Sequence, residues 1–132
     1  MIPRAEREWG ASPRPADRML MGHSNGAAWA VETAFRRPAM FANVYAVSVA
    51  GRDRTTFDRA PQIRFFLAAG QLETNFLRGT RNIADGAAGV GHQVTLKTPV
   101  AGHSQMVVEA YLDDALIGAF GTAGPKPQVA LR

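Results

Sequence analysis

The sequence contains no cysteine. That excludes disulfides, thiolate catalysis and cysteine-ligated zinc, and it leaves the redox compartment open. Aromatic residues are few, at 8%. They do not interleave with clustered bases. The net charge is +4, but the bases are nearly all arginine and scattered along the chain. Only Arg36-Arg37 and Arg52-Asp53-Arg54 bring them together, and an acid interrupts the second group. A nucleic-acid surface wants a basic stripe, so solvated surface charge and no nucleic-acid partner are expected. No run reaches the apolar length of a membrane span, and the N-terminus lacks a signal-peptide core. The expectation is a chain with no membrane partner, cytoplasmic by default, with no metal and no cofactor.

What is present fits one domain. The chain has 132 residues, 46% of them hydrophobic and 20% charged, ordinary values for a globular protein able to bury a core. Its organising stretch is Met19-Leu20-Met21-Gly22-His23-Ser24-Asn25-Gly26-Ala27-Ala28. An apolar run leads into Gly-x-Ser-x-Gly, and small helix-forming residues follow. That is the pattern of a nucleophile elbow, in which a strand turns sharply into a helix and presents a serine at the apex. Gly22 and Gly26 are expected to lack a side chain because strand and helix backbones meet there. The plainer reading is a glycine-rich strand-to-helix turn without chemistry.

The rest of the chain alternates strand and helix. Ile2 to Trp9 reads as the last turns of a helix, with Trp9 packing on the body. Arg18 to Met21 reads as a short strand. From Asn25 to about Arg37, Ala28, Val31, Ala34 and Phe35 recur at helical spacing, and Pro38 stops the helix. Val44 to Val49 and Ile63 to Ala69 are apolar runs suited to buried parallel strands. Gly51 to Pro61 is a charged loop between them. Gln71 to Asn75 reads as a loop and Phe76 to Ala88 as an amphipathic helix. Gln93 to Thr98 alternates, with Val94 and Leu96 on one face. Gln105 to Phe120 is a helix with Val108, Tyr111, Leu112, Ala115 and Leu116 as its core stripe. The domain is expected over 1–120, with a loose tail over 121–132.

This order predicts an α/β fold of about four parallel strands with helices on both faces. Right-handed crossovers place the loops that follow the strands along one edge, where ligands bind in open sheets. Three polar residues fall on those loops: Ser24 after the first strand, Glu73 after the third and His103 after the fourth. Their chain order is serine, acid, histidine, the order of the α/β-hydrolases. A serine hydroxyl needs a neighbouring base. His103 suits that role, Glu73 suits orienting the imidazole, and the Asn25 N–H suits an oxyanion donor. The plainer readings make Glu73 an exposed loop acid or a charge at a helix N-terminus, and His103 a surface histidine. His23, at the variable position of the motif, and His92, opening a strand, read as structural or exposed.

Three segments in order carry a family resemblance. The first is Ile2-Pro3 through the elbow to Pro38-x-x-Phe41, the second Ala69-Gly70-Gln71-Leu72-Glu73, and the third Gly91-His92 with Ala101-Gly102-His103. Over roughly residues 2 to 120 the chain resembles esterases of the α/β-hydrolase superfamily, the enterochelin-esterase-like and esterase-D-like group. The resemblance implies a serine hydrolase that cleaves a small-molecule carboxylic ester through an acyl-serine intermediate. It departs from the group at Ala27, where a second glycine is usual, and at Ser104, where an acid usually follows the histidine. Members also carry several strands and helices ahead of the elbow, one loop of which supplies a second oxyanion donor. The chain therefore resembles the C-terminal half of the fold. Low activity is expected, because losing one such donor costs on the order of 10²–10³ in rate. Self-association through the exposed elbow strand is expected too. The alternatives are a non-catalytic remnant or interaction module, and a hydrolase of another class such as a peptidase or thioesterase.

Overall fold

A computed structural model describes residues 2–50, 57 and 61–121. Its elements in chain order are α1 (Ile2–Trp9), a single 3-10 turn (Pro15–Asp17), β1 (Met19–His23), α2 (Asn25–Arg36), β2 (Asn43–Val47), β3 (Arg64–Ala68), α3 (Thr74–Gly89), β4 (Gln93–Lys97) and α4 (Gln105–Phe120). The strands pair in the order β1-β2-β3-β4, and every pairing is parallel. The α/β architecture expected from the alternation is the one observed.

Side-chain alternation along the strands explains the layers. In β2, Val44 and Ala46 join the cluster formed with α2 and α3, which includes Val31, Ala34, Phe65, Leu67 and Ile83. Tyr45 and Val47 point the other way, into the cluster under α4 with Ala68, Val107 and Ala115. All five residues of β2 are buried; Val44 to Val47 supply the apolar run such a strand requires, and Asn43 is buried with its side-chain amide hydrogen-bonded. The α2 face toward the sheet is built from Ala27, Ala28, Ala30, Val31 and Ala34. These short side chains let the helix lie close over β1 and β2. Tyr45 is the largest fully buried side chain. Its hydroxyl donates to the Val108 carbonyl at 2.6 Å, and burial pushes its ionisation up to about 12, helped by Tyr111 and Asp114 nearby.

Among the described residues β1 bonds only to β2, and Met21 stands 48% exposed. The entry to β1 is held by polar contacts. Asn43 Nδ2 donates to the carbonyls of Ala16 and Arg18. The Arg18 guanidinium pairs with Glu6 and donates to the Ser12 carbonyl. Together these dock α1 against the start of the sheet.

Several local expectations change. Trp9 does not pack on the body; it is 71% exposed, because α1 is tied down through Glu6 and not through its apolar end. Helix α3 starts at Thr74 rather than Phe76, since the Glu73 carbonyl already accepts the Leu77 N–H at 2.8 Å. The stripe of α4 is shifted: Val107, Ala115 and Ala119 are its buried residues, while Leu116 is 37% exposed. The charged loop lies almost wholly outside the described residues, as does the tail from residue 122. No helix among the described residues is long and apolar enough to cross a membrane.

Candidate active site

The elbow is built by one close approach. A Cβ on Gly22 would lie 2.1 Å from the Gly26 carbonyl oxygen and 2.6 Å from the Ala27 nitrogen. Only glycine lets β1 and α2 meet in this way. Gly26 plays a different part from the one its place in the motif suggests. A Cβ there would meet nothing within 4 Å; Gly26 brings its carbonyl to the contact, and its missing side chain faces open space. Between them Ser24 takes φ 57° and ψ −119°, a backbone region costly for a residue with a Cβ. Its N–H is held by the Val47 carbonyl at 2.9 Å. Asn25 is the first residue of α2, where a helix N–H has no partner within the helix.

The acid and the histidine are delivered by two loops that bond to each other. The Gln71 N–H donates to the Pro99 carbonyl at 2.8 Å, and the Leu72 N–H to the Ala101 carbonyl at 3.0 Å. A Cβ on Gly70 would lie 2.1 Å from that same Ala101 oxygen. Gly70 is thus a second obligatory close approach. It brings the loop after β3 against the loop after β4.

Glu73 is 7% exposed. A buried carboxylate needs hydrogen bonds to remain there, and each of its oxygens is engaged. Oε1 accepts from Ser48 Oγ at 2.7 Å and from the Gly70 N–H. Oε2 lies 2.7 Å from His103 Nδ1. A carboxylate can only accept, so the network assigns the shared proton to Nδ1 and leaves Nε2 of neutral His103 as the acceptor. Ser48 was not legible as part of the site. It is fully buried at the end of β2, has φ 55° and gives its N–H to the Ala68 carbonyl at 2.7 Å. Nothing local in Val47-Ser48-Val49 signals this.

The His103 ring is enclosed on both faces. It stacks on His23 at 4.6 Å between centroids and on Phe76 at 4.2 Å, with interplanar angles of 24° and 21°. His23 therefore sits at the site, directly before Ser24. Burial holds its pKa below the ordinary histidine value, with a second contribution from His103, while Glu73 opposes. His92 lies elsewhere. It is buried against Phe35 and Phe65, and its Nδ1 accepts the Ile63 N–H at 3.2 Å.

Ser24, Glu73 and His103 thus follow β1, β3 and β4 at the carboxyl edge of the sheet. Glu73 and His103 are bonded, and His103 reaches the elbow through its stack on His23. Ser24 Oγ makes no hydrogen bond to His103 in this structure. The edge thus brings together a serine with a strained backbone, an imidazole whose Nδ1 faces a carboxylate, and that buried carboxylate, the residue types that acyl transfer uses.

No family model and no curated protein matches the sequence. Solved structures match its fold. A ferulic acid esterase superposes with TM-score 0.73 at 15% identity, over 89% of this chain and 56% of that one. Enterochelin esterase from Shigella flexneri superposes with TM-score 0.76 at 18% identity, over 89% of this chain and 34% of that one. The Bacillus cereus carboxylesterase gives 0.68 at 18%, over 86% and 56%. The chain therefore has the α/β fold of a part of these esterases, and it spans between about a third and just over half of their length.

Proposed function

We propose that this chain carries the catalytic residues of a serine ester hydrolase acting on carboxylic esters of small molecules. The observation that carries the reading is the 2.7 Å contact of buried Glu73 with His103 Nδ1, on the sheet edge where the strained Ser24 stands. The names of the similar folds point the same way. In this reading His103 Nε2 takes the Ser24 proton as Oγ attacks the ester carbonyl. The Asn25 N–H stabilises the oxyanion. His103 returns the proton to the leaving alcohol, and water then releases the acid from the acyl-serine by the same steps in reverse. Glu73 holds the imidazolium.

A fluorophosphonate probe tests this directly. After reaction, intact-mass measurement should show a single adduct, and peptide mapping should place it on Ser24. No adduct would favour the non-catalytic module; an adduct elsewhere would remove Ser24 from the role.

The open side of β1 carries the self-association in this proposal. Among the described residues β1 pairs only with β2, so its other edge, beside the exposed Met21, offers N–H and C=O groups to a second strand. Sedimentation velocity should then show a dimer that grows with concentration, and a monomer throughout would count against it.

A further inference from the structure

The bond to Glu73 fixes one atom of the His103 ring. It does not fix the plane of the ring, because an imidazole can still turn about the axis of a single hydrogen bond. His103 lies on a loop, with 36% of its side chain exposed, so solvent alone would not hold that plane. Two rings do. His23 covers one face and Phe76 the other, both within 25° of parallel. They come from different layers. Met19 packs into the cluster under α4, and strand alternation puts His23 on that same face of β1. Phe76 comes from the first turn of α3. The His103 ring meets one side chain from each of these two elements.

We propose that His23 and Phe76 are positioning residues: their rings clamp the His103 imidazole from both faces and set the direction in which Nε2 points. This rests on the proposed role of His103 as the base. Stacking needs a flat ring on each side, and it favours neutral or quadrupolar faces over charged ones. Burial keeps His23 toward its neutral form, so it presents an uncharged face. When His103 gains the serine proton, both rings also offer π-density to the resulting cation. The variable position of Gly-x-Ser-x-Gly then has a stated requirement in this chain, an aromatic ring.

The test uses two readouts. In the 15N-labelled chain, long-range imidazole spectra should show His103 as one tautomer with the proton on Nδ1 and a slowly exchanging Hδ1 signal. His23→Ala and Phe76→Ala should broaden or remove that signal. They should also slow fluorophosphonate labelling by about ten- to a hundredfold, the scale of a misplaced catalytic group. His23→Phe, which keeps a ring, should restore both the signal and a rate near that of the parent. Circular dichroism confirms that each variant is folded, and His23→Phe keeps the comparison open should an alanine variant fail to fold. An unchanged Hδ1 signal in folded His23→Ala would overturn the clamp. So would a folded His23→Phe as impaired as His23→Ala. If the parent is never labelled but its Hδ1 signal responds as described, the clamp stands and the esterase reading falls.

Discussion

Gly22→Ala should leave the chain unfolded at room temperature, whereas Gly26→Ala should fold at least as well as the parent. The two substitutions add the same methyl group four residues apart in one motif. At Gly22 that carbon would sit 2.1 and 2.2 Å from the oxygen and carbon of the Gly26 carbonyl. Those are backbone atoms and cannot swing aside. Relief requires α2 to move off the sheet by about an ångström, in an interior packed as tightly as a crystal. Ala27, Val31 and Ala34, now at most 2% exposed, would lose their contacts together. Strain of that kind belongs to the small group of substitutions costing more than about 4 kcal/mol. The whole stability of such a domain is only about 5–15 kcal/mol. At Gly26 the methyl meets open space, and alanine in place of glycine favours a helix by up to about 1 kcal/mol. Urea unfolding followed by circular dichroism reads both. A cooperative transition for Gly22→Ala near the parent midpoint would show that α2 is not seated on that contact.

Glu73→Gln should fold yet lose about 10⁴ of p-nitrophenyl acetate turnover, the scale seen when a triad acid becomes an amide. The amide oxygen can still accept from Ser48 Oγ and the Gly70 N–H, the two donors now on Oε1. That leaves the amide NH₂ facing His103 Nδ1, where the carboxylate Oε2 now stands at 2.7 Å. Two N–H donors cannot share a hydrogen bond. The imidazole must therefore move its proton to Nε2, and Nε2 then has no lone pair for the Ser24 proton. Ser24→Ala sets the floor of the assay, and Glu73→Gln should remain above it. Glu73→Ala should in addition destabilise the fold, because the Ser48 hydroxyl and the Gly70 N–H would be buried without a partner, at about 1–3 kcal/mol each. Turnover of Glu73→Gln within about tenfold of the parent would mean that the 2.7 Å contact does not set the tautomer.

The division between chain and fold follows from the range of the interactions. Strand and helix periods, the stop at Pro38 and the glycine-flanked serine are local patterns, each decided within a few residues. They were enough to place four strands in parallel order, and to put Ser24, Glu73 and His103 on loops at one edge. Most of what the sequence leaves hidden depends on residues far apart in the chain. Gly70 is glycine because Ala101 passes against it. Ser48 is buried and strained because it bonds Glu73. His23 belongs to the site because its ring meets that of His103. The part of Gly26 could not be told from that of Gly22, since the motif marks both alike and only the direction of the absent Cβ separates them. The amino-acid order by itself determined which segments are strands and helices, because hydrophobic period and backbone preference act locally. Only the tertiary structure decided what surrounds the imidazole, because hydrogen bonds and ring contacts act between side chains brought together by packing, and no spacing in the sequence records that approach.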